Sequence, residues 1–399
     1  MAQGKQQIST PLLLCLALIT ATPALSTDMY LPALPAIARD LSTTTPMVQL
    51  TLSSFMAGMA VGQLIIGPIS DSLGRRRLLL AGAVVSLLAS VACALAPSIG
   101  VLIAMRLLQG LGGGACVVIS RAIVPDLARG REAAQAFALL MIIQGAAPIL
   151  APVVGGFIAV PFGWRGVFWG LAVINIAQAL VVIFGIRESR PPEERTAAGI
   201  RGIAHNYLFV LKNPIFLAYT LILGFTFGTI FSYISASPFV LQNQLGLSPL
   251  VFSAIFAVNA FGMMLGGMVN RRLLNRFHPH QIMSIALVTF LILLLALLVE
   301  VVFLDFTPVF LLLLFLIVAH APMIMANSTA LGTAVVRSRA GSGSAVMGFT
   351  QFSMGGIVSP LVGLGSDRAL TMAITMTVCA VVACIAAWFA GRDGLPSLN

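Results

Sequence analysis

Long apolar runs alternate with short polar turns along this chain, and most runs are about the 20 residues that an α-helix needs to cross a bilayer. Charges and turn residues mark out twelve such runs, approximately 10–37, 47–69, 78–97, 100–121, 134–159, 166–187, 214–238, 250–271, 281–303, 307–333, 342–365 and 370–390. The first and tenth are the longest, and both contain prolines. The largest polar interruption, "ESRPPEERTAAGIRGIAHNYLFVLKN" at 188–213, leaves six runs on each side. The pattern predicts an all-α membrane protein with a six-helix bundle over 1–187, a cytoplasmic linker over 188–213 and a second six-helix bundle over 214–399. Two such halves suggest repeats related by an axis along the membrane normal, with a site between them at mid-depth. "GPISDSLGRRRLLL" after span 2 is echoed by "GGMVNRRLLNRF" after span 8, with Asn270 where Asp71 stood. Gly58 and Gly62, then Gly262 and Gly266, have the four-residue spacing that lets helix backbones approach closely in lipid.

Composition agrees with a membrane-embedded chain. The 399 residues are 59% hydrophobic and 9% charged, with a mean hydropathy of +1.03, whereas a soluble domain carries about 25% charged residues. The net charge of +10 would point to nucleic acid in a soluble protein; here its distribution points to topology. With the N-terminus inside, 18 of the 22 basic residues fall on the cytoplasmic side, and only Arg39, Arg165 and Arg368 fall outside. That is the positive-inside bias, and it puts both termini in the cytoplasm. Residues 11–25 also have the length of a signal-peptide core. The run continues past Asp28, however, and a single Lys precedes it, so span 1 is expected to stay. The five cysteines lie in apolar spans without metal-site spacing, and no metal is expected.

Of the twelve acidic residues only Asp28 is deep in a span; Glu300 lies about a turn inside the outer end of span 9. Of the basic residues only Arg106 is well inside one. Such groups are costly in lipid, by ~2.5–3.5 kcal/mol on insertion scales, and face a cavity or a partner. Asp28 lies ~14 Å and Arg106 ~9 Å below the outer surface at 1.5 Å per residue, so they can meet if spans 1 and 4 are neighbours. Arg106, Gln109, Gly110 and Gly113 share one helical face that suits a cavity wall. Two readings stay open: an ion pair that merely ties two helices, or a carboxylate that loads and releases a proton as a cavity changes sides. His320, near Pro322 and Asn327, is a third candidate, and Gln144, Asn259 and Asn327 are weaker ones. "GLGGGA" at 110–115 is no phosphate loop, because no Gly-Lys-Ser/Thr follows. Nothing in the sequence argues for an enzyme.

Several motifs together resemble the major facilitator superfamily, and within it the drug:proton antiporters of the bicyclomycin and chloramphenicol resistance type. "DMYLPALP" at 28–35 resembles that subfamily's first-helix signature, and "GQLIIGPISDSLGRRRLLL" at 62–80 the superfamily's loop between helices 2 and 3. "RLLQGLGGG" at 106–114 is similar to the helix 4 motif, and "GAAPILAPVVGG" at 145–156 to the antiporter motif of helix 5, with Ala151 where many members have Gly. "GWRGVF" at 163–168 and "AGSGSAVMGFTQF" at 340–352 also look like the subfamily. The resemblance implies that Asp28 couples protons and binds substrate, that Arg106 belongs to the cavity, and that Asp71 and Arg75, flanked by Gly67 and Gly74, latch one conformation. It implies that Gly145, Pro152, Gly155 and Gly156 bend and pack helix 5 in favour of export. It further implies a monomeric inner-membrane antiporter that needs no cofactor beyond the proton gradient.

A single deep acid suits exchange of a proton for a neutral or zwitterionic amphipathic drug better than for a dication. Tyr30, Phe225, Phe231, Tyr233, Phe256 and Met323 are candidates to line an adaptable apolar cavity. Export of an endogenous metabolite, such as a nucleobase, sugar or amino acid, is the alternative.

Overall fold

The computed structural model describes residues 10–127, 131–189 and 200–392. Among them there is no strand, and the helices are α1 (Thr10–Asp28), α2 (Leu34–Asp40), α3 (Thr45–Leu73), α4 (Arg75–Ala94), α5 (Ile99–Leu127), α6 (Arg131–Gly185), α7 (Ile200–Leu211), α8 (Pro214–Phe239), α9 (Pro249–Leu273), α10 (Pro279–Val299), α11 (Thr307–Val335), α12 (Ala340–Leu361) and α13 (Arg368–Arg392). All twelve predicted spans are helical. The fifth and sixth are joined in α6, which breaks at Gly163, where φ is 66° and ψ −175°. The eleventh is α12. Span 1 differs from the reading as one run, because it is interrupted directly after Asp28. The segment 188–213 carries α7.

Local sequence explains where the helices start. Proline occupies the first turn of α3, α8, α10 and α11, where a missing N–H costs nothing and the fixed φ suits a helix. The Asn213 side chain accepts the Phe216 N–H at 3.0 Å and caps α8. Gly74 takes φ 98° between α3 and α4, a left-handed conformation that a side chain would strain.

The chain divides into two compact units, Met1–Gly199 with Pro249–Ala254, and Ile200–Ser248 with Ile255–Asn399. In the first, α5 packs along α3 and α4, and α6 against α1 and α4. The α3–α5 crossing is so close that a Cβ on Gly58 would strike the Leu107 carbonyl and one on Gly110 the Phe55 carbonyl. In the second, α8 packs against α11, α12 and α13, and α10 against α11 and α13. Gly266 repeats the device, lying against the Ala319 carbonyl of α11.

Candidate functional site

The site in the first unit begins with a break. Pro32 and Pro35 have no N–H to return to the carbonyls of Asp28 and Leu31, so α1 cannot continue. The chain passes through a 3₁₀ turn at Leu31–Ala33 before α2 resumes. Asp28 is therefore the last residue of α1. It is 5% exposed, and among the described residues its carboxylate has no hydrogen-bond or ion-pair partner. The break is clamped from α6. A Cβ on Gly155 would run into the Met29 carbonyl, so only glycine lets α6 reach this point.

Further along α6, Phe168 packs against Tyr30 with ring centroids 5.5 Å apart. Trp164 Nε1 donates to Asp40 Oδ2 at 2.8 Å, and Arg165 pairs with the same oxygen at 2.5 Å. "GWRGVF" thus holds both Tyr30 and the far end of α2.

Arg106 is fully buried, and it does not pair with Asp28. Its Nη1 donates to the Ser26 carbonyl at 2.9 Å and to Gln109 Oε1 at 2.6 Å, and its Nε to the Thr51 carbonyl at 3.4 Å. The guanidinium carbon lies 4.3 Å from the ring centres of both Tyr30 and Phe55. Carbonyl oxygens and π faces therefore hold the cation, each desolvated cation–π contact contributing about 2 kcal/mol. Its Nη2 is buried without a partner. From Gln109 a polar chain continues: Gln109 Nε2 donates to Ser90 Oγ at 2.7 Å, and Asn175 Nδ2 to the same oxygen at 3.1 Å. Tyr30 Oη and Thr51 Oγ1 are 3.0 Å apart.

The other predicted residues form separate groups. Half-buried Gln144 donates to the Thr20 carbonyl at 3.4 Å. In the second unit Asn259 Nδ2 donates to Tyr233 Oη at 2.7 Å, and Tyr233 stacks on Phe256 at 5.7 Å. Asn327 Nδ2 donates to Asn270 Oδ1 at 2.7 Å. His320 does not join them. Its Nδ1 lies 2.7 Å from the Leu316 carbonyl, and with Met323 it lines a different groove.

At the other end of the first unit, the side chain of Asp71 lies outside the described residues. Arg75 bonds Ser70 and pairs with Asp126 at 3.1 Å. Glu188 accepts the N–H groups of Arg75 and Arg76 at 2.8 and 3.3 Å, placing an anion at the N-terminus of α4. Gly67 faces Val118 on α5, whereas Gly145 has open space around it. Pro152 and Gly156 lie within α6 on either side of the Gly155 contact.

Sequence reasoning missed Ser90, Asn175, Thr51, Asp126 and Glu188. Ser90 and Asn175 carried a signal, as polar residues inside otherwise apolar spans. Asp126 and Glu188 carried none that would join them to Arg75.

Residues 16–360 match the profile of the Major Facilitator Superfamily. A Bacillus subtilis protein named uncharacterized MFS-type transporter YdgK is 36% identical over 385 residues, covering 96% of this chain and 95% of that protein. The Haemophilus influenzae bicyclomycin resistance protein homolog is 31% identical over 395 residues, covering 98% of this chain and 99% of the homolog. The fold is similar to the crystal structure of a bacterial homolog of the human lysosomal transporter Spinster, with a TM-score of 0.79 at 17% identity, covering 99% of this chain and 100% of that one.

Proposed function

The chain belongs to the Major Facilitator Superfamily, and on that premise we propose that it is a proton-coupled antiporter exporting small amphipathic drugs. It is a multi-pass membrane transporter, not an enzyme. The proposed substrates are neutral or zwitterionic, phenicol- or bicyclomycin-like. They leave by alternating access across a bacterial inner membrane, with both termini cytoplasmic. The name of the Haemophilus influenzae relative supports the drug class.

One observation carries the coupling role: Asp28 is buried at a helix break with no partner among the described residues. Its oxygens can take up or release a proton without breaking an ion pair. The contacts of Arg106 are with carbonyls, an amide and rings instead. In this reading a drug and a proton compete for Asp28, which makes transport an exchange. Tyr30, Gln109 and the unpartnered Nη2 of Arg106 form the neighbouring polar wall. In the second unit, Tyr233 with Asn259 and Asn327 with Asn270 form polar pairs of their own.

The test is proton movement in vesicles holding the purified protein. With an inward proton gradient and added chloramphenicol, florfenicol or bicyclomycin, the wild type is expected to dissipate the gradient only when drug is present. Asp28→Asn is expected to leave the gradient intact. Equal dissipation by both would make Asp28 structural.

A further inference from the structure

We propose that the second unit carries a binding site for an anionic phospholipid on the flank formed by α9, α10 and α11, independent of the transport site. A groove of about 300 Å³ runs there between Val269 and Leu273 of α9, Phe277 of the following turn, Ile285 and Thr289 of α10, and Met323 of α11. It opens on the unit's own surface, since Val269, Phe277 and Ile285 are 44%, 50% and 65% exposed. The lining is almost wholly apolar, which suits an acyl chain and offers a polar solute little to bond.

Charge selects the headgroup. Arg271 and Arg272 close the last turn of α9, and Arg276 stands next to Phe277. All three are exposed, and among the described residues none has an ion-pair partner. The sequence explains why: there is no Asp or Glu from 195 to 299 or from 306 to 366, so no neighbouring segment of α8 to α12 supplies a counter-ion. A phosphodiester does, and guanidinium groups bind it in bidentate fashion. Basic clusters beside helix crevices are the arrangement that holds anionic headgroups. A lipid with its chain in the groove and its phosphate on the α9–α10 turn satisfies both features together. The orientation proposed above puts that turn at the inner leaflet.

Native mass spectrometry of the full-length protein, titrated with phosphatidylglycerol or with phosphatidylcholine of the same chains, tests this. Phosphatidylglycerol is expected to be retained at concentrations about tenfold lower. The triple variant Arg271→Gln, Arg272→Gln, Arg276→Gln is expected to lose that preference. The corresponding Lys variant is expected to keep most of it, as is Arg337→Gln with Arg339→Gln, at the same end of the unit. Thr289→Phe, which fills the groove with a larger side chain, is expected to weaken binding of long-chain phosphatidylglycerol. Equal retention of the two lipids by the wild type overturns the proposal. So does unchanged phosphatidylglycerol binding in the triple Gln variant, or a protein dimer in place of bound lipid that Thr289→Phe abolishes.

Discussion

The α3–α5 pair and the α9–α11 pair are built alike and equipped differently. Both bring backbones into contact at glycine, through Gly58 and Gly62 against the Leu107 and Leu111 carbonyls and through Gly266 against the Ala319 carbonyl, whereas Gly262 faces the Phe315 ring. Along α3–α5, the buried polar group is a cation, Arg106, held by three helices' worth of carbonyls, amide and rings. Along α9–α11 it is a neutral amide pair, Asn270 with Asn327. The close packing recurs, and of these two helix pairs only α3–α5 buries a charged side chain between its helices. A neutral pair can hold helices together, but it has no proton to exchange.

The comparison can be broken most severely at Arg106. Arg106→Ala removes three hydrogen bonds from a charged donor, each worth about 1.5–3 kcal/mol, and strands their acceptors. Thermal unfolding of the purified protein is expected to shift far downward, with Arg106→Lys failing to restore it, because an ammonium cannot reach Ser26, Thr51 and Gln109 from one position.

Next in size is Gly155→Ala. Its new methyl meets the Met29 carbonyl beside Asp28, and overpacking of this kind costs about 1–3 kcal/mol. Drug export is expected to fall sharply, whereas Gly145→Ala, with open space around it, is expected to export normally in the same assay.

Asn327→Leu probes the neutral side of the comparison. It exchanges an amide hydrogen bond for an apolar contact and is expected to cost about 1 kcal/mol. Proton coupling is expected to persist. If Asn327→Leu uncouples protons from drug as fully as Asp28→Asn does, the division of labour between the halves is wrong.

The smallest effect expected is at Trp164→Phe. It loses the 2.8 Å bond to Asp40, about 1 kcal/mol or less at this part-exposed site, and leaves export measurable.

Much of this was legible in the sequence. Twelve apolar runs of membrane-spanning length fixed the helices, since lipid leaves the backbone few other ways to satisfy its polar groups. The break after Asp28 was not read, although Pro32 and Pro35 carry the signal for it. Depth along each span was readable too, and it put Asp28 and Arg106 within a turn or so of one level. Their separation was not readable, because rotation about a helix axis is set by neighbours. Arg106 is taken by the Ser26 carbonyl and by Tyr30, on the same chain segment as Asp28, and not by the carboxylate. His320 shows the same limit: its place in span 10 was correct, and its direction into the α9–α11 groove came only from packing. Ser90 and Asn175 are neutral, and only packing sets such residues beside a buried cation's network.

The central claim is that drug and proton compete for Asp28. Weakly buffered, detergent-solubilised protein mixed with chloramphenicol, with a pH indicator present, tests it without needing a membrane. The account predicts proton release on mixing for the wild type and none for Asp28→Asn. By linkage, wild-type drug affinity should then rise with pH, by up to about tenfold per unit, and stay flat in the variant. Drug binding without proton release in the wild type, or equal release in both proteins, would contradict it.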